Sequence, residues 1–205
     1  MQSEIPKQFI PIAGKPLLMH TIGKFYSFSP DLIINVVLPA PFIDFWKSHC
    51  NRFDFSIPHN VIEGGDSRFF SVKNGLQNIK KNSLVAIHDG VRPLVDHDTI
   101  QRVFQTSEKK GNAIPVVKIN ESIRKLGSDE SFPVNRQEYR LIQTPQCFQS
   151  EILMKAYKQD YRDDFKDDAT VVEASGIRIN LVEGNFENIK ITRPADLIIA
   201  KTFLK

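Results

Sequence analysis

SLVAIHDGVRP, residues 83–93, decides how the chain is read. Leu84, Val85, Ala86 and Ile87 form an unbroken apolar run with no polar alternation to mark a wet face. Such a run is expected of a strand covered on both sides. The character changes at once after Ile87. His88, Asp89 and Gly90, then Val91, Arg92 and Pro93, make a polar loop at the strand's carboxyl end. In open α/β sheets, ligands bind beyond that end of the strands.

The same rhythm extends on both sides of this stretch. DLIINVVLP (31–39) is a second continuous apolar strand, and HNVIEGG (59–65) is a short one ending in glycines. NAIPVVKI (112–119) is a further strand. Helical spacing fills the intervals. Leu17, Leu18, Ile22 and Phe25 follow Pro16, and PAPFIDFWKSHC (39–50) starts a helix behind its prolines. Phe69, Val72, Leu76 and Ile79 share one face of residues 66–81, with Asp66 or Ser67 as N-cap. Residues 96–111 form a helix closed by Gly111. Strands alternating with helices of this length predict βαβ units and a parallel sheet. The loops EGGDSR and HDGVRP then lie at one edge.

The pattern breaks after residue 118. Residues 118–148 are extended pieces around a polar GSDES turn (127–131), read as a two-stranded arm. An isolated hairpin is barely stable in water, so the arm must pack on something, most simply a second copy of the chain. Helices at 150–159 and 167–175, strands at 177–184 and 188–192, and a last helix from Pro194 complete the chain.

Three loci could carry chemistry. GGDSRFFS (64–71) sets flexible backbone, a carboxylate and hydroxyls at a helix N-terminus; this is an anion site or a plain turn with its cap. Asp89 at the strand end suits Mg2+ bound jointly with substrate phosphates, because Mg2+ uses few carboxylates and keeps waters. A structural Asp89–Arg92 pair is the alternative. His88 reads as a packing or hydrogen-bonding histidine, since no second His or Cys lies at metal-site spacing. Lys190 and Thr192 share a strand face by the two-residue period, as phosphate grip or as edge gatekeepers.

Composition excludes several classes. The 205 residues are 41% hydrophobic and 25% charged, with a net charge of +3, which suits one globular domain. Basic residues are dispersed, the longest clusters being the Lys80–Lys81 and Lys109–Lys110 pairs, so no nucleic-acid face is predicted. Cys50 and Cys147 make no disulfide framework and read as packing thiols. No apolar run reaches the roughly 18 residues of a membrane span, and no signal peptide is visible. A cytoplasmic protein without a membrane partner is the expectation.

In order along the chain, PKQF, AGKP, EGGDSRFFSV, HDGVRP, VNRQEYRLIQTPQCF, DDATVVEASG and LVEGNFENIKITRPADL resemble the 2-C-methyl-D-erythritol 4-phosphate cytidylyltransferase family. The resemblance spans nearly the whole chain, with QTPQ and NIKITRP its most specific parts. It implies a Rossmann-like α/β nucleotidyltransferase in one domain over 1–205, with residues 118–138 as a β-arm that crosses to the partner of a homodimer. It implies transfer of the cytidylyl group of CTP to methylerythritol phosphate with Mg2+ as cofactor. By resemblance Lys7 stabilises the transition-state charge, and Arg136 (from the partner's arm) with Lys190 positions the sugar phosphate. Gly65, Asp66 and Ser71 correspond to the cytosine pocket, and Asp89 to the carboxylate near Mg2+ and the triphosphate. Ser122, Thr144, Glu187 and Thr192 match further substrate contacts.

The departures are specific. Ser122 stands where the family often has Thr, and Glu187 where Asp is usual; both keep the chemical group. Lys166 stands where a Thr is common. Family members begin with a strand and a glycine-rich loop ahead of the position of Met1, so an N-terminal extension of about 20 residues, enough for a ~6-residue strand and its loop, is expected. The alternatives are a ribitol-5-phosphate cytidylyltransferase, which shares PKQF, TPQ and NIKIT, and an inactive or merely ligand-binding truncated form. TRP at 192–194 and VNR ahead of QTPQ favour the methylerythritol enzyme.

Overall fold

A computed structural model of the chain describes residues 6–204. Two-residue strands β1 (Pro11–Ile12) and β2 (Lys15–Pro16) pair antiparallel and lead into α1 (Leu17–Phe28). Leu17, Leu18 and Ile22 are buried on α1, as their spacing predicts, together with Met19, while Phe25 is half-buried. Then come β3 (Asn35–Leu38), α2 (Ile43–Arg52) and β4 (Asn60–Glu63). β3 and β4 pair parallel in register Asn35↔Asn60 to Leu38↔Glu63. Around Trp46, which is fully buried, this unit gathers Phe9, Leu18, Met19, Ile22, Val36 and Leu38.

The larger sheet corrects the expectation of parallel pairing. Its strands are β5 (Leu84–Ile87), β6 (Asn112–Lys118), β9 (Arg140–Ile142), β10 (Gln146–Gln149) and β11 (Leu181–Glu183). The order is β11-β6-β10-β5, with β9 pairing β6. Only β6 and β11 run parallel; β10 runs antiparallel to both β5 and β6. The reason is the arm. β6 delivers the chain to the carboxyl edge, and the arm, β7 (Arg124–Leu126) with β8 (Ser131–Pro133), turns it back there. The returning chain must run against β6. It does so through β9, the Gln143 N–H to Pro115 carbonyl bond at 2.9 Å, and β10. Among the described residues β3 and β5 are each hydrogen-bonded on one side only. The strand and loop expected ahead of Met1 lie outside the described residues.

The remaining helices are α3 (Arg68–Gly75), α4 (His97–Lys110), α5 (Ser150–Ala156), α6 (Asp168–Glu173) and α7 (Pro194–Phe203), the last packing against Ile12, Leu17, Leu94 and Ile191. α4 is capped by Asp96, whose side chain accepts from the Thr99 N–H at 2.7 Å. It ends at Gly111, whose φ of 91° is the left-handed conformation glycine adopts without a Cβ penalty. Several elements are shorter than their sequence pattern, among them α5, α6 and β11, and two others depart from it further. α3 stops at Gly75 instead of reaching Lys81, since Asn74–Gly75 are weak helix formers and single turns follow. Residues 188–192 are not a strand; they run as a loop whose Ile191 N–H donates to the Val91 carbonyl at 3.0 Å. Cys147 is fully buried, and burial pushes its thiol up to about 11, as suits an inert packing thiol. No helix among the described residues is long and apolar enough to cross a membrane.

Candidate active site

The loop after β5 and the loop before α7 meet at Asp89. Its Oδ2 accepts from Arg92 Nε at 3.0 Å and lies 3.2 Å from Lys190 Nζ. Asp89 therefore makes the structural pair with Arg92 that was the alternative reading, and a second contact with Lys190. Its side chain is 16% exposed and Lys190 is 50% exposed. Burial alone would raise the Asp89 carboxyl; Lys190 and then Arg92 outweigh it and hold the group below the usual carboxylate range. Oδ1 has no protein partner among the described residues. Arg92 is itself anchored, donating from Nη1 to the Asn188 carbonyl at 2.7 Å.

His88 lies under this turn as a hydrogen-bonding residue. Nε2 is 3.0 Å from the Arg92 carbonyl, and Nδ1 is 3.0 Å from Thr144 Oγ1. Burial pushes its imidazole down to about 4. Thr144 is buried, and its hydroxyl oxygen accepts from the Asp89 N–H at 3.1 Å.

Lys7 reaches the same edge from the other end of the chain. Its ammonium donates to the Thr192 carbonyl at 3.1 Å. Thr192 is exposed, with its N–H and hydroxyl both donating to Asp196 Oδ2, at 2.8 and 3.2 Å. Glu187 is exposed, its Oε2 3.4 Å from the Asn185 amide nitrogen.

The glycine loop folds over the start of α3. Ser67 caps the helix, and the Gly65 N–H donates to Ser71 Oγ at 3.1 Å. A Cβ on Gly65 would sit 2.5 Å from the Phe70 Cβ, so the close turn admits glycine alone. Asp66 is exposed at the tip. Ser122 and Arg136 stay exposed on the arm, where Arg136 donates to the Asn120 carbonyl. No hydrogen bond or ion pair joins either to the Asp89 cluster among the described residues.

One cluster escaped the sequence reading. Arg68, the first residue of α3, donates from Nη1 and Nη2 to both oxygens of Asp168 at 2.9 and 2.5 Å. The Tyr157 hydroxyl donates to Asp168 Oδ1 at 2.6 Å. Burial would lower the Arg68 guanidinium, but Asp168 raises it and keeps it charged. Beside it, Gln146 donates to Asp167 Oδ2 and accepts from the Ala169 N–H, each at 2.9 Å. The N-terminus of α6 thus ties the glycine loop to the chain that follows Thr144. The signal was present in GGDSR and DDAT, but pairing across 100 residues is not visible in spacing.

The arrangement suits phosphate chemistry: a helix N-terminus behind glycines, cations at one strand edge and a single central carboxylate. Among the described residues no three His, Cys, Asp or Glu side chains gather as a metal cage. One carboxylate with an unpartnered oxygen instead fits a magnesium ion carried in by a triphosphate.

The family model described as 2-C-methyl-D-erythritol 4-phosphate cytidylyltransferase (IspD) matches residues 1–205. The enzyme of that name from Phocaeicola vulgatus is 46% identical over 204 residues, covering 100% of this chain and 93% of the relative. The Bacteroides thetaiotaomicron enzyme is 48% identical over the same shares. The crystal structure of the Thermus thermophilus enzyme superposes with a TM-score of 0.77 at 28% identity, covering 97% of this chain and 93% of that one. With a family match over its full length and fold, this chain belongs to the 2-C-methyl-D-erythritol 4-phosphate cytidylyltransferase family.

Proposed function

We propose that the protein transfers the cytidylyl group of CTP to 2-C-methyl-D-erythritol 4-phosphate, giving 4-diphosphocytidyl-2-C-methyl-D-erythritol and pyrophosphate. The observation that carries this is the Asp89–Lys190 contact: an acid able to hold a metal–triphosphate lies beside a half-exposed ammonium able to hold a second phosphate. In the reaction an oxygen of the sugar phosphate attacks the α-phosphorus of CTP, and the bond to the β-phosphate oxygen breaks. Catalysis is then largely positioning and charge neutralisation.

The residue roles follow from this reading. Gly65, Asp66 and Ser71 take the cytosine, with backbone groups exposed by the glycine turn. Asp89 would hold Mg2+, which would offset charge on the triphosphate. Lys7 stabilises charge that develops at the α-phosphate. Lys190 positions the sugar phosphate, with Thr192 and Glu187 beside it. Arg136 and Ser122, exposed on the arm and not bonded to the Asp89 cluster, complete that pocket from a second copy. Exposed Leu126 and Phe132 on the arm are the apolar surface a homodimer would cover.

A coupled assay for pyrophosphate tests the reading. Release is expected only when CTP and methylerythritol phosphate are both present. CTP breakdown independent of the sugar phosphate, or none at all, would contradict it.

A further inference from the structure

The geometry points to His88 as a positioning residue that acts through Thr144: a neutral Nε2–H imidazole accepts a hydrogen bond from the Thr144 hydroxyl at Nδ1, so that Thr144 serves as acceptor for the Asp89 N–H and seats the Asp89 turn. The inference rests on the proposed reaction for its kinetic consequences but not for its structural ones.

The protons can be assigned from chemistry alone. A carbonyl oxygen can only accept, so the 3.0 Å contact of Nε2 with the Arg92 carbonyl requires the hydrogen on Nε2. The Asp89 backbone N–H can only donate, so Thr144 Oγ1 accepts it at 3.1 Å. Between Nδ1 and Oγ1, 3.0 Å apart, one hydrogen remains to be placed. If Nδ1 carried it, Oγ1 would accept twice and the buried hydroxyl proton would be left without its partner, which is costly. The consistent arrangement is one chain: Asp89 N–H to Thr144 Oγ1, Thr144 O–H to His88 Nδ1, His88 Nε2–H to the Arg92 carbonyl. It closes a ring around the turn, whose ends are also joined by the Arg92 N–H to Asp89 carbonyl bond at 3.0 Å.

Other contacts hold this ring in place. Phe25 packs edge-on against the imidazole with centroids 4.8 Å apart. The Thr21 hydroxyl donates to the Gly90 carbonyl at 2.9 Å. The Asn188 amide donates to the Thr144 carbonyl at 2.8 Å. With both its hydroxyl bonds committed and 6% of its surface exposed, Thr144 has no proton to offer a substrate. Its part in the site is to aim Asp89.

Long-range proton–nitrogen NMR correlation of the imidazoles in the 15N-labelled protein at neutral pH tests the chain directly, with His88→Gln to assign the signal. A protonated Nε2 and a bare, hydrogen-bonded Nδ1 are expected. The Nδ1–H tautomer or an imidazolium would overturn the proposal. Thr144→Val should move the Nδ1 resonance towards that of a free lone pair; an unmoved resonance also overturns it. In turnover, Thr144→Val should lower kcat about tenfold with the KM for the sugar phosphate within about twofold, and Thr144→Ser should rescue it. A raised sugar-phosphate KM with kcat intact would instead make Thr144 a substrate contact. A wild-type protein without turnover would refute the proposed reaction, while the nitrogen resonances would still decide the hydrogen-bond chain.

Discussion

Replacing Arg68 with Met tests the join between the glycine loop and the rest of the site. The guanidinium meets both oxygens of Asp168 in a two-pronged pair, and the Asp168 side chain is 0% exposed. Met removes the opposing charge and leaves a buried carboxylate with the Tyr157 hydroxyl as donor. Breaking a buried pair from one side costs about 3–5 kcal/mol. Arg68 is itself 40% exposed, so solvent screens part of the interaction and the lower end, about 3 kcal/mol, is expected. With a urea slope of about 2 kcal/mol/M, the unfolding midpoint followed by circular dichroism should fall by about 1.5 M. Pairing Arg68→Met with Asp168→Leu should recover most of this, because apolar packing replaces the ion pair without stranding a charge. The KM for CTP should rise in the single variant, since Arg68 begins α3 directly after the glycine loop. A loss below about 1 kcal/mol, or a double variant no better than the single, would refute the reasoning.

Lys190→Ala and Lys7→Ala should each lower turnover by at least about a hundredfold. Their unfolding free energies should stay within about 1 kcal/mol of wild type, as suits solvent-reached cations, and near-normal turnover would remove either from the catalytic set. The pH dependence of stability has a definite sign. His88 titrates near 6.5 when unfolded and about 4 when folded, so between those values the unfolded chain binds the extra proton. Stability should therefore fall as pH drops through that window, by roughly 3 kcal/mol from this group. Asp89, depressed by its cations, adds a contribution that is lost only at still lower pH. Urea midpoints measured across this range should show the slope and should flatten in His88→Gln; a flat wild-type curve contradicts it. Leu126→Glu with Phe132→Glu should yield a monomer by light scattering and abolish turnover, whereas an active wild-type monomer would rule out a shared site.

Much of the fold was legible in unbroken apolar runs, although β5 is half-buried along its length and not covered on both sides as its run predicts, since it is hydrogen-bonded on one side only among the described residues. β3, β5 and β6 are continuous apolar runs, and each forms a strand within one of them. What failed were features set by long-range topology. QCFQ (146–149) is too short and too polar to announce a strand, yet it fills the sheet between β5 and β6 and reverses its direction. NIKIT alternates like a strand but finds turns, not a neighbouring strand, as hydrogen-bond partners. In the site, Asp89 stands out locally because a polar loop follows an apolar strand. Its contact with Lys190 crosses about half the chain and carries no spacing signal; only family resemblance put the two together. Arg68–Asp168 and the His88–Thr144 chain were invisible for the same reason, being made by the fold between segments distant in sequence.

The central claim is the identity of the phosphate acceptor. The protein should be incubated with CTP, Mg2+ and equal amounts of 2-C-methyl-D-erythritol 4-phosphate and ribitol 5-phosphate, with products resolved by phosphorus NMR and mass spectrometry. The account predicts 4-diphosphocytidyl-2-C-methyl-D-erythritol and pyrophosphate in equal amounts. Cytidylyl transfer to ribitol phosphate alone, or intact CTP at the end, would contradict it.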